Sequence, residues 1–317
     1  MTSGELRDRL ERYVALRRAL GFQMRAEERL LRDFLVFIDA HGSTGPLRAQ
    51  VAVDWACSTA ERCGPGGQAR RLSIARGFLS HLRAAVPETE IPSPGLLARG
   101  VRPLPHIYSE AEIQTLIAAA RKLGPQDALR PHTVATLIGL VASSGLRAGE
   151  AMRLHLADVD LETDPPRLHV LETKFRKSRL VPIHSTTADA LRDYAAKRDS
   201  LGYNGLCDFF FVSERTGPVT YGVIARTFVA LARDLGIRGP RGHHGASLHA
   251  LRHTFAVRRL TRWYRVGVDV QARVHELSVY LGHVRPAETY WYLTATPELL
   301  STAADRFETY ASAGGAS

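Results

Sequence analysis

The stretch from Ile91 to Pro105 limits what this 317-residue chain can fold into more than any other feature. Pro92, Pro94, Pro103 and Pro105 remove backbone donors and push each preceding residue into extended backbone, and Gly95 and Gly100 lie between them. No helix or interior strand can run through such a segment. The residues before and after it must therefore bury their apolar side chains separately, and 45% apolar residues over this length supply two cores. The sequence predicts one domain over 1–95, a linker over 96–106, a second domain over 107–310, and a frayed small-residue tail over 311–317.

The first domain reads as four helices. Leu6, Leu10 and Val14 recur every four residues, Gly21 interrupts, and Leu30, Phe34 and Ile38 repeat the pattern. A loop at Gly42 to Pro46 precedes a segment around Val51, Val53 and Trp55. Gly64-Pro65-Gly66-Gly67 breaks the chain again before a helix with Leu72, Ile74, Phe78 and Leu82. Arg17, Arg18, Arg25, Arg70, Arg71 and Arg76 are expected on exposed faces, either as solvated charges or as phosphate contacts. Arg70, Arg71 and Arg76, together with Lys177 of the second domain, are the candidates for binding nucleic acid.

The second domain opens with Ser109-Glu110-Ala111-Glu112, a capping-box pattern. Helices are expected over 110–122, 131–143, 147–156, 186–198, 221–235 and 248–262. Arg167 to Glu172 and Leu180 to Ile183 read as two strands around the polar turn Thr173 to Arg179, and Phe209 to Val212 as a short strand-like piece. The expected domain is mainly helical and carries a small antiparallel sheet.

Charge points to a polyanionic partner. The net charge is +10, and neutralising phosphates releases condensed counterions; an arginine-rich proteome would give the same balance. Lysine is scarce, with Lys122, Lys174, Lys177 and Lys197 alone, so two lysines in one predicted hairpin are conspicuous. Cys57, Cys63 and Cys207 are odd in number and show no CxxC spacing, which points to reduced thiols. Met1 to Arg12 lacks the apolar core of a signal peptide. The apolar run Val134 to Val141 is far short of the ~20 residues that span a bilayer. A soluble cytoplasmic protein, associated with the nucleoid and with no membrane partner, is expected.

The chemistry-bearing residues fall in separate short motifs. Gly145-Leu146-Arg147-Ala148-Gly149-Glu150 sets Glu150 one helical turn from Arg147, where its carboxylate can hold the guanidinium. His249 and Arg252 are three apart and share a helix face, while the neighbouring His253 is expected to point elsewhere and pack beneath. Leu281-Gly282-His283 is followed by Tyr290 and Tyr292, which lie roughly 200° apart on a helix, so only one can face the arginines. Arginine binds phosphate oxygens bidentately and histidine moves protons near neutrality. His243, His244, His249 and His253 cluster in sequence, but no carboxylate or cysteine completes a zincin spacing, so no metal is expected. There is no GxxxxGK[ST] loop for ATP, and no cofactor is expected.

In order, Arg147, Lys174, His249, Arg252, His283 and Tyr292 resemble the active site of the tyrosine recombinases, the phage integrase family. The nine-residue interval from His283 matches the family's spacing and selects Tyr292 as nucleophile. Lys174 through Pro182 is similar to the family's GKGxKxRxVP hairpin, in which the lysine protonates the leaving 5′ oxygen. Thr173 and Phe175 replace its glycines, and Lys177 is the alternative lysine.

The resemblance implies a mainly α protein: an N-terminal helical core-binding (SAM-like) domain, then a mixed, mostly helical catalytic domain with a small antiparallel β-sheet. It implies attack by Tyr292 on a scissile phosphate, stabilised by Arg147, Arg252 and His283, with His249 assisting proton transfer and Glu150 supporting. The expected partner is double-stranded DNA at specific recombination sites, bound by a homo-tetramer with accessory or sister recombinases. The tail around Tyr292 looks like recombinases borne on transposons and plasmids. Residues 258–265 are expected as a DNA-facing extension or a protomer interface, and 298–308 as a helix docking on a neighbour. A type IB topoisomerase and a catalytically decayed DNA-binding accessory protein are the alternatives.

Overall fold

The structure, a computed structural model, describes residues 2–42, 45–59, 63–98, 100, 104–125, 127–171, 178–240, 245–283, 285 and 287–293. The chain divides into two compact units, Met1–Arg102 and Pro103–Ser317. Among the described residues no helix is long and apolar enough to cross a membrane.

The first unit holds α1 (Ser3–Ala19), α2 (Arg25–Ala40), α3 (Ala49–Cys57) and α4 (Pro65–Arg83). Thr2 and Glu5 form a capping box that starts α1. Leu6, Leu10 and Val14 from α1 meet Leu31, Phe34 and Ile38 from α2, Trp55 from α3, and Leu72, Phe78 and Leu82 from α4. Pro65 begins α4 instead of breaking the chain before it: its missing N–H falls where a helix start has no partner to offer. Leu97, inside the expected linker, packs against this core.

Arg71 departs from its expected exposure. It is 9% exposed, its guanidinium carbon lies 4.0 Å from the Trp55 ring centroid, and Nη2 donates to Asp33 Oδ2 at 3.0 Å and to the Trp55 carbonyl at 3.2 Å. Trp55 Nε1 donates to the same Asp33 oxygen. Arg71 is thus part of the core's polar edge and is not a surface cation. Arg70 stays exposed beside Glu27, and Arg76 is half-buried.

In the second unit α5 (Glu110–Arg121) starts at the Ser109 and Glu112 capping box. It packs on α6 (Leu129–Ser144), which buries Val134, Leu137, Ile138, Leu140 and Val141 and so forms the unit's axis. The expected helix over 147–156 shortens to α7 (Ala148–Ala151) and a 3-10 turn over Leu156–Asp158. The reason lies downstream: Phe210 N–H donates to the Leu154 carbonyl and Leu156 N–H to the Asp208 carbonyl, which pulls this backbone out of helix. For the same reason 209–212 forms isolated bridges and no strand, with Phe210 and Phe211 buried.

Strands β1 (Val159–Asp160), β2 (Arg167–Val170) and β3 (Arg179–Pro182) make an antiparallel sheet in that order, with Arg167 opposite Pro182 and Val170 opposite Arg179. Leu168, Val170 and Val181 face the core. Among the described residues five helices follow: α8 (Ser185–Ser200), α9 (Tyr221–Asp234), α10 (Leu248–Arg265), α11 (Val270–Leu281) and α12 (Ala287–Leu293). Residues 258–265 are the last residues of α10. Arg258 binds Glu110 and the Tyr108 carbonyl, Trp263 and Tyr264 pack on Val257, Leu260 and Val274, and Arg259, Arg262 and Arg265 stay exposed.

Candidate active site

Two glycine turns and helix α10 bring the motifs together. Gly145 ends α6 in the left-handed region at φ 66°, and a Cβ there would lie 2.4 Å from Phe255 Cδ1, so only glycine fits. That turn delivers Arg147 as the N-cap of α7. Arg147 Nη1 donates to Glu150 Oε1 at 2.8 Å and Nη2 to the Gly282 carbonyl at 3.0 Å, while its backbone N–H donates to Glu150 Oε2.

Glu150 is 5% exposed and serves a second cation. Arg179 Nη2 donates to its Oε2 at 2.8 Å, and Arg179 Nε donates to the Tyr280 carbonyl at 2.8 Å. Burial alone would raise the carboxyl, but hydrogen bonds and charge from Arg179, then from Arg147, outweigh it and hold the group below its ordinary value. A buried carboxylate is tolerated here because both oxygens are matched by guanidinium donors.

Arg252, on α10, is 1% exposed. It donates to the Gly145 carbonyl from Nη1 and to the Leu281 carbonyl from Nη2, each at 2.8 Å. These carbonyls cap the C-terminal ends of α6 and α11, the negative ends of two helix dipoles. Burial, then the charge of Arg147, lowers Arg252 to about 10, so it remains a cation at neutral pH.

Gly282, at φ 69°, turns the chain from α11 to His283. His283 Nδ1 lies 2.6 Å from Thr289 Oγ1 on α12. Burial first, and then the charges of Arg252, Arg147 and Arg179, push His283 down to about 3, so its imidazole is neutral at pH 7. Its ring stacks beside Tyr292, with centroids 6.0 Å apart. Tyr292 is 2% exposed and its hydroxyl lies 3.1 Å from His253 Nδ1. Tyr290 points outward at 43% exposed.

His253 therefore does not point away from the other motifs. It lies four residues after His249, so the two share a helix face, and their rings meet edge to face with centroids 4.6 Å apart. His249 itself is exposed. Arg147, Glu150, Arg252 and His283 thus meet at the turn after α11, with Tyr292 beside the His283 ring, a set whose cations can bind a tetrahedral oxyanion. Lys174, Lys177, His243, His244 and the 298–308 segment lie outside the described residues. Among the described residues no three of His, Cys, Asp and Glu form a group that could hold a metal ion.

Three contributors were not picked out from sequence. Arg179 sits in the same motif as Lys174, and its regular place before Leu180-Val181-Pro182 was the available signal. Thr289 lies one helical turn before Tyr292, and His253 one turn after His249; both relations are readable from spacing alone.

Residues 107–298 match the model of the phage integrase family. The chain is 42% identical over 307 residues to the integrase/recombinase y4rB of Sinorhizobium fredii, covering 95% of this chain and 96% of that protein. It is 31% identical over 302 residues to the tyrosine recombinase XerD of Rhizobium meliloti, covering 92% and 90%. In fold it is similar to the Tn1549 transposon integrase in complex with transposon right end DNA, at a TM-score of 0.67 and 16% identity, covering 98% and 100%. It is likewise similar to a lambda integrase tetramer bound to a Holliday junction, at a TM-score of 0.58 and 17% identity, covering 90% and 76%.

Proposed function

This chain belongs to the phage integrase family of tyrosine recombinases, and we propose that it is a site-specific DNA recombinase working through a 3′-phosphotyrosine intermediate on Tyr292. The Tyr292 oxygen attacks the scissile phosphorus and the bond to the 5′ oxygen breaks, with Lys174 supplying the leaving oxygen's proton. Arg147 and Arg252 bind the non-bridging oxygens, whose charge grows in the transition state. His283 donates a further hydrogen bond as a neutral imidazole, and His249 assists proton movement. A 5′ hydroxyl of the partner strand then reverses the step, so bond energy is conserved and neither ATP nor a metal is required. The neighbours solved with DNA, one as a tetramer on a junction, support duplex DNA and a homo-tetramer as the working assembly; accessory or sister recombinases are further partners in this reading.

The observation that carries this reading is the meeting of Arg147, Arg252, His283 and Tyr292, from motifs separated by up to 145 positions in the chain, at the turn that ends α11. Nicked suicide duplexes tiled across the DNA flanking the gene, incubated with chelator, test it. Denaturing gels and peptide mass analysis should show a DNA adduct on Tyr292. An adduct on another residue, or cleavage that strictly requires Mg²⁺, would sink it.

A further inference from the structure

Among the described residues, Tyr292 meets in His253 a group able to take its proton. His253 is 7% exposed, and Nδ1 faces the phenol at 3.1 Å. The ring is held on several sides: edge-on to Trp291 at 5.4 Å between centroids, tilted to Tyr292 at 5.3 Å, and edge to face with His249 at 4.6 Å. The backbone of α10 carries it one residue beyond Arg252, whose own guanidinium is tied to two carbonyls. Arg252 and His253 are thus fixed together, one as the oxyanion's cation and the other at the attacking oxygen.

Resting on the reading above, we propose that His253 is a catalytic residue, the group that accepts the Tyr292 hydroxyl proton as the oxygen attacks phosphorus. In the Nε2–H tautomer the Nδ1 lone pair accepts the hydrogen bond from Tyr292. As the O–P bond forms, the proton passes to Nδ1 and gives an imidazolium. The bond from phosphorus to the 5′ oxygen breaks, and that oxygen takes a proton from the cation assigned to it. In the reverse step the imidazolium returns its proton to the departing tyrosine oxygen, so each cycle leaves His253 as it began. His249 is edge-on to the same ring and exposed.

A buried phenol needs a hydrogen-bond partner whatever its role, and a purely structural His253 would give the same distance. The test must separate the two. In His253→Asn the amide can still face the hydroxyl but cannot take a proton; His253→Phe keeps the ring's packing and is the second variant should the first not fold, with melting and DNA gel shifts checking both. Single-turnover adduct formation on the suicide duplexes should slow by about 100-fold. The same variants carrying a fluorinated, more acidic tyrosine at position 292 should recover most of that loss, while the wild type gains little. Unchanged rates overturn the proposal, and so does a loss that the acidic phenol fails to restore. If the wild-type protein forms no adduct on Tyr292, the recombinase reading itself fails, a result distinct from either.

Discussion

Arg147 and Arg179 grip opposite oxygens of one carboxylate, with Arg147 Nη1 on Glu150 Oε1 and Arg179 Nη2 on Glu150 Oε2, each at 2.8 Å. The same two arginines reach forward to the Gly282 and Tyr280 carbonyls. Helix α7, strand β3 and the end of α11 are thereby tied into one block, and the block positions Arg147 and His283. Glu150→Ala should leave two guanidiniums in a partly dry site without their counter-charge. We expect a loss of about 3–5 kcal/mol of stability in urea unfolding, with adduct formation falling further than DNA binding. A loss under 1 kcal/mol would mean that the network is ornamental to the fold.

Acid stability should fall in two overlapping windows that open at different pH. His283 sits at about 3 against an ordinary 6.5, so between those values the unfolded chain binds a proton that the folded chain refuses, and stability falls as pH drops through this range. Glu150 is held below its ordinary 4.5, so its contribution is complete above that value and is lost as pH falls below it. His283→Gln should therefore flatten the decline from about pH 6.5 downwards, while Glu150→Gln should flatten it only below about pH 4.5. Unfolding free energies measured from pH 3 to 8 check both. Identical profiles for the two variants would contradict these assignments.

The parts legible in sequence were those set by local rules. Four-residue apolar spacing marked Leu6, Leu10 and Val14 as core, and the Ser109 capping box started α5 where expected. The illegible parts depend on distant partners. The 147–156 helix stopped after four residues because Asp208 and Phe210 claim the backbone of Leu156 and Leu154. Arg71 looked like one more surface arginine because nothing local announces that Trp55 and Asp33 lie beside it. His253 was misjudged by its angle from Arg252, when its one-turn relation to His249 was the relevant one. Individual motif residues could be read from order and spacing, but the carboxylate shared by Arg147 and Arg179 is a tertiary fact.

The two helix-ending glycines should fail in different ways. Both have positive φ, which costs a side chain roughly 1–2 kcal/mol on its own. At Gly145 a Cβ also meets the Phe255 ring at 2.4 Å and Leu281 at 3.0 Å, packed groups that cannot move cheaply. At Gly282 it meets Arg179 Nη1 at 2.6 Å, the far end of a long side chain. Gly145→Ala should therefore lower Tm more, while Gly282→Ala should stay folded and lose adduct formation as Arg179 is displaced from Glu150. Thermal melts beside single-turnover assays separate the cases, and equal Tm losses would refute the distinction.

Tyr292 and Tyr290 differ in surroundings enough to be told apart by single-atom changes. Tyr292→Phe removes the hydroxyl facing His253 and should bind DNA without forming any adduct. Tyr290→Phe alters a side chain that is 43% exposed and should retain the reaction. Gel shift and denaturing gel on the same samples check both. Loss of the adduct in both variants with binding intact would leave Tyr292 without its special role.

Lys174 and Lys177 can be separated by the leaving group. If Lys174 supplies a proton to the 5′ oxygen, its loss should matter only while that atom needs one. Replacing the bridging 5′ oxygen by sulfur gives a far better leaving group, since a thiol is several units more acidic than an alcohol, and removes the need for an acid. Lys174→Ala should slow cleavage of the ordinary duplex by about 100-fold or more and cleave the sulfur-bridged duplex at close to the wild-type rate. Lys177→Ala should show no such difference between the two substrates. Rescue of Lys177→Ala instead would transfer the role to that lysine, while slow cleavage of both duplexes by Lys174→Ala would show that the residue binds DNA and does not protonate the leaving oxygen.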